Sequence, residues 1–160
     1  MKPTIKHFEK KTVLGTQSNF ISAARMEADG AVLIPTHWME FNERRAELNS
    51  VVNPKTSYGI ILPKRVGQED GMIYMSCVEV SDASHPPVGM KSLSIPAGNY
   101  AVFTYQGHIS GVGEIMDEIY ETWIPANEEK LRPAAHLEIY DERFDPTSVS
   151  SIVEIWVAVK

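Results

Sequence analysis

Apolar residues recur along this chain with two different periods. After the stretch Gly-His-Ile-Ser-Gly at 107–111, Val112, Ile115, Met116, Ile119, Tyr120 and Trp123 fall three and four apart. Glu114, Asp117, Glu118 and Glu121 fill the rest of the circumference. That spacing predicts an amphipathic helix, capped by Ser110 and ended by Pro125. A second helix is predicted over 34–48, with Trp38, Phe41, Arg45 and Leu48 on one stripe and Pro35 in the first turn. Residues 31–34 are compatible with a start one turn earlier.

Around these helices the period falls to two. Strands are predicted at 12–22, at 57–65 and 71–81 joined through 66–70, at 91–107 with a break at Pro96–Gly98, and at 136–144 and 151–159. The order is strand, helix, strand, strand, and then the same again. The fold class is α+β: two pseudo-two-fold-related βαββ units sharing a mostly antiparallel sheet, with helices packed on it. The chain reads as a single domain over 1–160, its first half about 1–82 and its second about 88–160. The linker Asp-Ala-Ser-His-Pro-Pro-Val-Gly-Met separates them, and two units this small need one another to bury enough surface.

Composition narrows the function. The 160 residues are 43% hydrophobic and 22% charged, so a packed core is expected. The net charge of -6, with Lys and Arg scattered, argues against direct nucleic-acid binding. The N-terminus lacks the apolar core of a signal peptide, and no apolar run reaches membrane-spanning length. A cytoplasmic location is the expectation. Cys77 is the one cysteine, set in an apolar run, and reads as a small buried hydrophobe. The five histidines show no metal-ligand spacing, and no phosphate-loop or nucleophile-elbow motif occurs. No metal and no cofactor is expected.

The chemistry concentrates in His136-Leu137-Glu138-Ile139-Tyr140. By strand parity Leu137 and Ile139 share one face, and His136, Glu138 and Tyr140 share the other. In the last strand Val153, Ile155, Val157 and Val159 alternate with Glu154, Trp156 and Ala158. If the apolar sets of the two strands match, both carboxylates and both aromatic rings share one surface. Such a surface attracts an organic cation through its ring faces and fixed charge. A solvent-facing strand carries the same alternation, and spacing alone favours that reading for Glu138. Glu154 is equally well explained by a structural salt bridge. Trp38, Phe41, Tyr120 and Trp123 on the helix stripes fit core packing and ligand contact alike. Tyr58, where the first half echoes the 136–140 stretch, is placed to face a cleft.

One family carries these elements in this order. Ser-Ile-Pro-Ala-Gly-Asn-Tyr-Ala-Val-Phe-Thr-Tyr-Gln-Gly, a helix ending in Trp123-Ile124-Pro125, the 136–144 stretch and the 152–159 stretch together resemble the GyrI-like effector-binding domains. These domains also form the drug-sensing C-terminal halves of AraC- and MerR-type regulators, so the resemblance implies a bacterial, transcription-related setting. The segment 71–82, followed by Pro87-Val88-Gly89-Met90, extends the likeness to the first half. The resemblance implies a central ligand cleft between the two halves. It also implies a buried glutamate meeting cationic, lipophilic ligands among aromatic rings, and the matching residue is Glu138. It thereby reverses the preference for a solvent-facing Glu138.

The expected function is that of a stand-alone effector-binding domain with no DNA-binding domain. It would bind hydrophobic, cationic, drug-like molecules in sensing, sequestration or regulation. Glu138 is the expected charge partner, and Trp123, Tyr120, Trp38, Tyr58, Trp156 and Tyr140 are the expected walls. Two alternatives accompany it. One is a hydrolase of reactive cyclopropane-type molecules, with Glu138 as general acid or base. The other is a protein-interaction role such as gyrase inhibition. Homodimerisation is left open.

Overall fold

A computed structural model describes residues 2–62 and 69–160. Among these residues nine strands form one sheet: β1 Thr4–Phe8, β2 Lys11–Gln17, β3 Ile21–Ser22, β4 Ser57–Leu62, β5 Gly71–Glu79, β6 Met90–Ile95, β7 Gly98–Gln106, β8 His136–Tyr140 and β9 Ile152–Val159. Their order is β1-β7-β9-β8-β4-β5-β2-β6, with β3 paired to β5. Every pairing is antiparallel. Helix α1 spans Ala23–Arg44 and runs into a 3₁₀ turn at Arg45–Glu47. Helix α2 spans Val112–Glu118, widens into a π-helical turn at Ile119–Trp123, and ends in the short α3 at Ile124–Ala126.

The β4–β8 seam divides the order into matching halves. From it the strands run β4-β5-β2-β6 one way and β8-β9-β7-β1 the other. The runs β2-α1-β4-β5 and β7-α2-β8-β9 are therefore topological equivalents, and β6 and β1 edge them. The sheet must also curl. Only Glu9 and Lys10 separate β1 from β2, which lie near opposite ends of the strand order. Phe8, at the end of β1, accordingly meets the rings of Tyr58, Tyr100 and Trp156, with centroids 5.7–6.4 Å apart. The concave face closes into a core with Val13, Ile60, Met75, Cys77 and Leu137.

Both helices pack on the opposite face. The register threads Ser76, Gly59, Glu138, Ile155 and Phe103 in one row across five strands. Directly opposed residues share a face, so this row lies on the helix side. At one end of it α1 brings Phe41 against Leu14, Val78 and Val80. At the other, α2 and its π turn bring Ile115, Met116 and Ile119 against Phe103, Ile155 and Val157. The floor between the helices is β4 and β8.

Three expectations need correcting. Helix α1 begins at Ala23, where the Ser22 side chain accepts from the Arg25 amide at 3.2 Å, and Pro35 lies in its interior. Its first half buries no side chain fully, so the periodic apolar signal was absent there. Pro35 has no N–H to offer residue 31, a local loss that the rest of a long helix absorbs. The second helical run is capped by His108, whose Nδ1 accepts from the Ser110 amide, rather than by Ser110, and it ends at Ala126, one residue past Pro125. The π-helical turn precedes Pro125, which accommodates the bond that its missing N–H cannot make to Glu121. Thr4–Phe8, mostly exposed and polar, proves to be an edge strand. The break at Pro96 is real and separates β6 from β7, which lie on opposite sides of the sheet. The expected strand over 63–65 and the connecting residues 66–68 lie outside the described residues.

Candidate ligand site

Strand β8 lays Leu137 into the concave core and turns Glu138 to the helix side. Glu138 is only 9% exposed. Its Oε1 accepts a short hydrogen bond from the Tyr74 hydroxyl and another, at 3.2 Å, from Tyr140. Tyr74, on β5, is 1% exposed, and its oxygen accepts from Trp38 Nε1 at 2.9 Å. Trp38 comes down from α1 and meets Tyr140 edge-on at 5.3 Å, and Tyr140 meets Phe144 at 4.9 Å. From the other helical run, Tyr120 shares a 3.0 Å hydrogen bond with His136 Nδ1. The carboxylate thus sits on the seam between the halves, with rings from both.

Gly59 makes this arrangement possible. It faces Glu138 across β4–β8. A Cβ at that position would lie 2.1 Å from the Tyr74 hydroxyl and 2.5 Å from Glu138 Oε1. The tyrosine hydroxyl occupies the space where any other residue would carry a side chain. In the same row Ser76 is fully buried, and its hydroxyl has no hydrogen-bond partner among the described residues.

The electrostatics follow from burial. Desolvation pushes the Glu138 carboxyl above its ordinary range, and the hydrogen bonds from Tyr74 and Tyr140 only partly oppose this. Burial raises the Tyr74 and Tyr140 hydroxyls, and the Glu138 charge raises them further. Burial lowers His136 to about 4, so it is neutral near pH 7. No Lys or Arg among the described residues forms an ion pair with Glu138. Glu154 supplies the contrast. It is 6% exposed on the other face, with Arg143 Nη2 at 2.8 Å, Lys6 Nζ at 3.6 Å and Trp156 Nε1 donating at 2.8 Å. Burial raises its carboxyl, but these partners more than offset that and leave it below the ordinary value. One buried acid is neutralised by cations; the other, among the described residues, is met by hydroxyls.

The expectation that both carboxylates and both rings share a surface is overturned by the register. Leu137 pairs with Trp156, Glu138 with Ile155 and Ile139 with Glu154. A one-residue difference in pairing exchanges the faces. Trp156 and Tyr58 therefore lie in the concave core, away from Glu138. Trp123 packs on the helix side but over Phe103, with centroids 5.1 Å apart. Trp38 and Tyr140 are brought to Glu138, and Tyr120 to its neighbour His136. Sequence reasoning missed Tyr74 and Gly59. A glycine inside a strand pattern was the available signal, since it marks a close approach.

Two open hollows border this region. One, of about 460 Å³, is lined by Ile61, Tyr120, Ala134 and His136 among others, so it opens beside Glu138's strand neighbour. The other, of about 550 Å³, is a polar groove along α1 that includes His37 and Glu40. Glu138 lines neither, because Trp38, Tyr74 and Tyr140 close over it. Among the described residues no His, Cys, Asp or Glu cluster could hold a metal, and no helix is long and apolar enough to cross a membrane.

The model of the GyrI-like small molecule binding domain matches residues 1–160. The chain belongs to this family. The GyrI-like domain is 28% identical over 123 residues to the transcriptional regulator BrlR of Pseudomonas aeruginosa, covering 76% of this chain and 44% of BrlR. It therefore spans less than half the length of that curated relative. Among solved structures it resembles SAV2435 bound to tetraphenylphosphonium, with a TM-score of 0.79 and 21% identity, covering 100% of this chain and 94% of the other. A transcription regulation protein from Staphylococcus aureus MU50 gives a TM-score of 0.76 and 21% identity, with 100% and 99% coverage. The protein is a GyrI-like small-molecule-binding domain with an α+β fold, related to transcription regulators.

Proposed function

We propose that this domain binds hydrophobic, cationic small molecules on the β4–β8 seam, with Glu138 as the charge partner. Trp38, Tyr140 and Tyr120 form the aromatic walls, and Tyr74 holds the carboxylate. The observation that carries the reading is the buried Glu138 itself, met by tyrosine hydroxyls and without an ion-pair partner among the described residues. Burying a carboxylate without a cation is costly. A lipophilic cation removes that cost and gains cation–π contacts with the surrounding rings. The structural likeness to a tetraphenylphosphonium complex supports the same ligand class. Ligand entry requires Trp38 and Tyr140 to part from Glu138. The hollow beside His136 and Tyr120 is the approach. Tyr58 and Trp156 have no part in this site, and Trp123 supports the α2 wall from behind. The domain acts in the cytoplasm as a sensor or sequestering protein and does not itself contact nucleic acid.

The test compares tetraphenylphosphonium with triphenylphosphine oxide, a neutral molecule of related shape, by quenching of tryptophan fluorescence. The cation should bind saturably, and Glu138→Gln should weaken it at least fivefold while barely changing the oxide. Equal binding of both, or equal losses in the variant, would remove Glu138 from its role.

A further inference from the structure

A second charge without an ion-pair partner among the described residues lies at the end of the same aromatic wall. Arg45 follows α1, and its Nη2 donates to Ser57 Oγ on β4. Its Nε is shut off from solvent with no hydrogen-bond partner among the described residues. No carboxylate among the described residues forms an ion pair with it, and the neighbouring Glu47 is taken by Arg44 at 2.7 Å. The guanidinium lies 5.3 Å over the Phe41 ring. Phe41 meets Trp38 edge-on at 6.1 Å, and Trp38 meets Tyr140. Arg45 is therefore continuous with the aromatic wall over Glu138.

The register fixes the relation of the two charges. Ser57, which holds Arg45, faces Tyr140 across the seam, and Gly59 faces Glu138. Two residues along a strand span about 6.6 Å. The Ser57 hydroxyl that holds the half-buried cation and the Gly59 position opposite the buried anion are thus adjacent same-face positions on β4, and the two charges do not pair. Neutral hydroxyls hold each of them: Ser57 for Arg45, Tyr74 and Tyr140 for Glu138. A position at the C-terminal end of a helix and a stack on Phe41 account for a cation here. They do not account for a buried Nε–H left unbonded, which is rare in folded proteins.

Resting on the ligand reading above, we propose that Arg45 is a specificity-determining residue. It selects cations that also carry a carboxylate or a comparable hydrogen-bond acceptor set off from the positive centre by about the two-residue strand spacing of 6.6 Å. The cationic part lies against Glu138 and the rings, and the acceptor takes Nε–H and a neighbouring N–H at the edge of the guanidinium. A planar guanidinium suits this because it offers donors in a fixed fork.

The test uses three probes on wild type, Arg45→Gln and Arg45→Lys: tetramethylrhodamine with its free carboxylate, the methyl ester of the same dye, and tetraphenylphosphonium, which has no acceptor. Wild type should prefer the free acid to the ester about tenfold. Arg45→Gln should bring that ratio close to one and tighten tetraphenylphosphonium, because a like charge has left the cleft. Arg45→Lys should keep part of the preference. A misfolded variant would lose all three probes, and thermal melts identify it; Arg45→Lys then carries the comparison. If tetraphenylphosphonium binds through Glu138 but wild type does not distinguish acid from ester, this proposal falls and the ligand reading stands. The proposal also falls if Arg45→Gln weakens acid and ester alike. If none of the probes binds wild type, both fall.

Discussion

Gly59→Ala tests the site's architecture without touching a charged group. The added Cβ would stand 2.1 Å from the Tyr74 hydroxyl and 2.5 Å from Glu138 Oε1, where about 3 Å is the least that atoms tolerate. The backbone is ordinary strand, so the conflict is one of space. Tyr74 is fully buried and cannot swing into solvent. Its hydroxyl must retreat and give up the bond to Glu138. Overpacking of this kind costs about 1–3 kcal/mol, and losing a hydrogen bond to a charged group costs about 1.5–3 kcal/mol. The reduced freedom of the unfolded chain returns about 0.5–1 kcal/mol. The net loss is about 2–5 kcal/mol, or roughly 5–20 °C in Tm for a domain of this size. Urea denaturation at pH 7 measures it, with Tyr74→Phe and the double variant completing a cycle. Removing the hydroxyl clears the nearest clash, so Gly59→Ala should cost at least about 1 kcal/mol less in the Tyr74→Phe background. A neutral Gly59→Ala, or strict additivity, would show that Tyr74 does not occupy that space.

Further expectations concern the ionisable groups and the concave core. Glu138 is raised above its unfolded value of 4.5, so between the two values the native state holds a proton that the unfolded chain has lost. Stability should fall as pH rises through that window, and Glu138→Gln should abolish the fall in a series of melts. His136 acts oppositely: lowered from 6.5 to about 4, it makes the unfolded chain the better proton binder, so its contribution is lost as pH falls from 6.5 towards 4. His136→Gln should flatten that limb of the same curve. Cys77 is fully buried and its thiol is pushed up by desolvation. A thiol reagent should therefore modify the native protein only at the rate of unfolding, and rapid labelling would contradict the packing. Arg143→Ala leaves Glu154 with Lys6 and Trp156; because Arg143 is 43% exposed, the loss should be about 1 kcal/mol by urea denaturation.

The sequence made the second half of the chain more legible than the first. Helix α2 carries its apolar stripe at strict helical spacing, and β8 and β9 alternate cleanly, so their existence and the repeat could be read. The first turns of α1 are rich in alanine and bury no side chain fully, which leaves no periodic mark. β1 is polar because it is an exposed edge. Within the site, parity separated Glu138 from Leu137 correctly, yet parity inside one strand does not say which face of the next strand lies alongside. That depends on register, and the observed register puts Trp156 beside Leu137 and Ile155 beside Glu138. Tyr58 was misplaced for the same reason, since it faces Cys77 and Ile139. The role of Tyr74 was invisible because it reaches the acid from two strands away, over a glycine on the strand between them. The unpaired state of Arg45 is likewise a property of the packed structure: as one member of an amphipathic stripe it looks like any helix-end arginine.

The central claim is that the Glu138 carboxylate is the charge partner of a cationic ligand. Titration calorimetry of tetraphenylphosphonium against wild type and Glu138→Gln, repeated across a pH series, tests it most directly. Wild-type affinity should rise with pH as the raised carboxyl ionises. The variant should bind more weakly by about 1–3 kcal/mol where the carboxyl is charged, the scale of a lost charge-assisted contact, and should show no such rise. A pH-independent wild-type affinity equal to that of the variant would contradict the account.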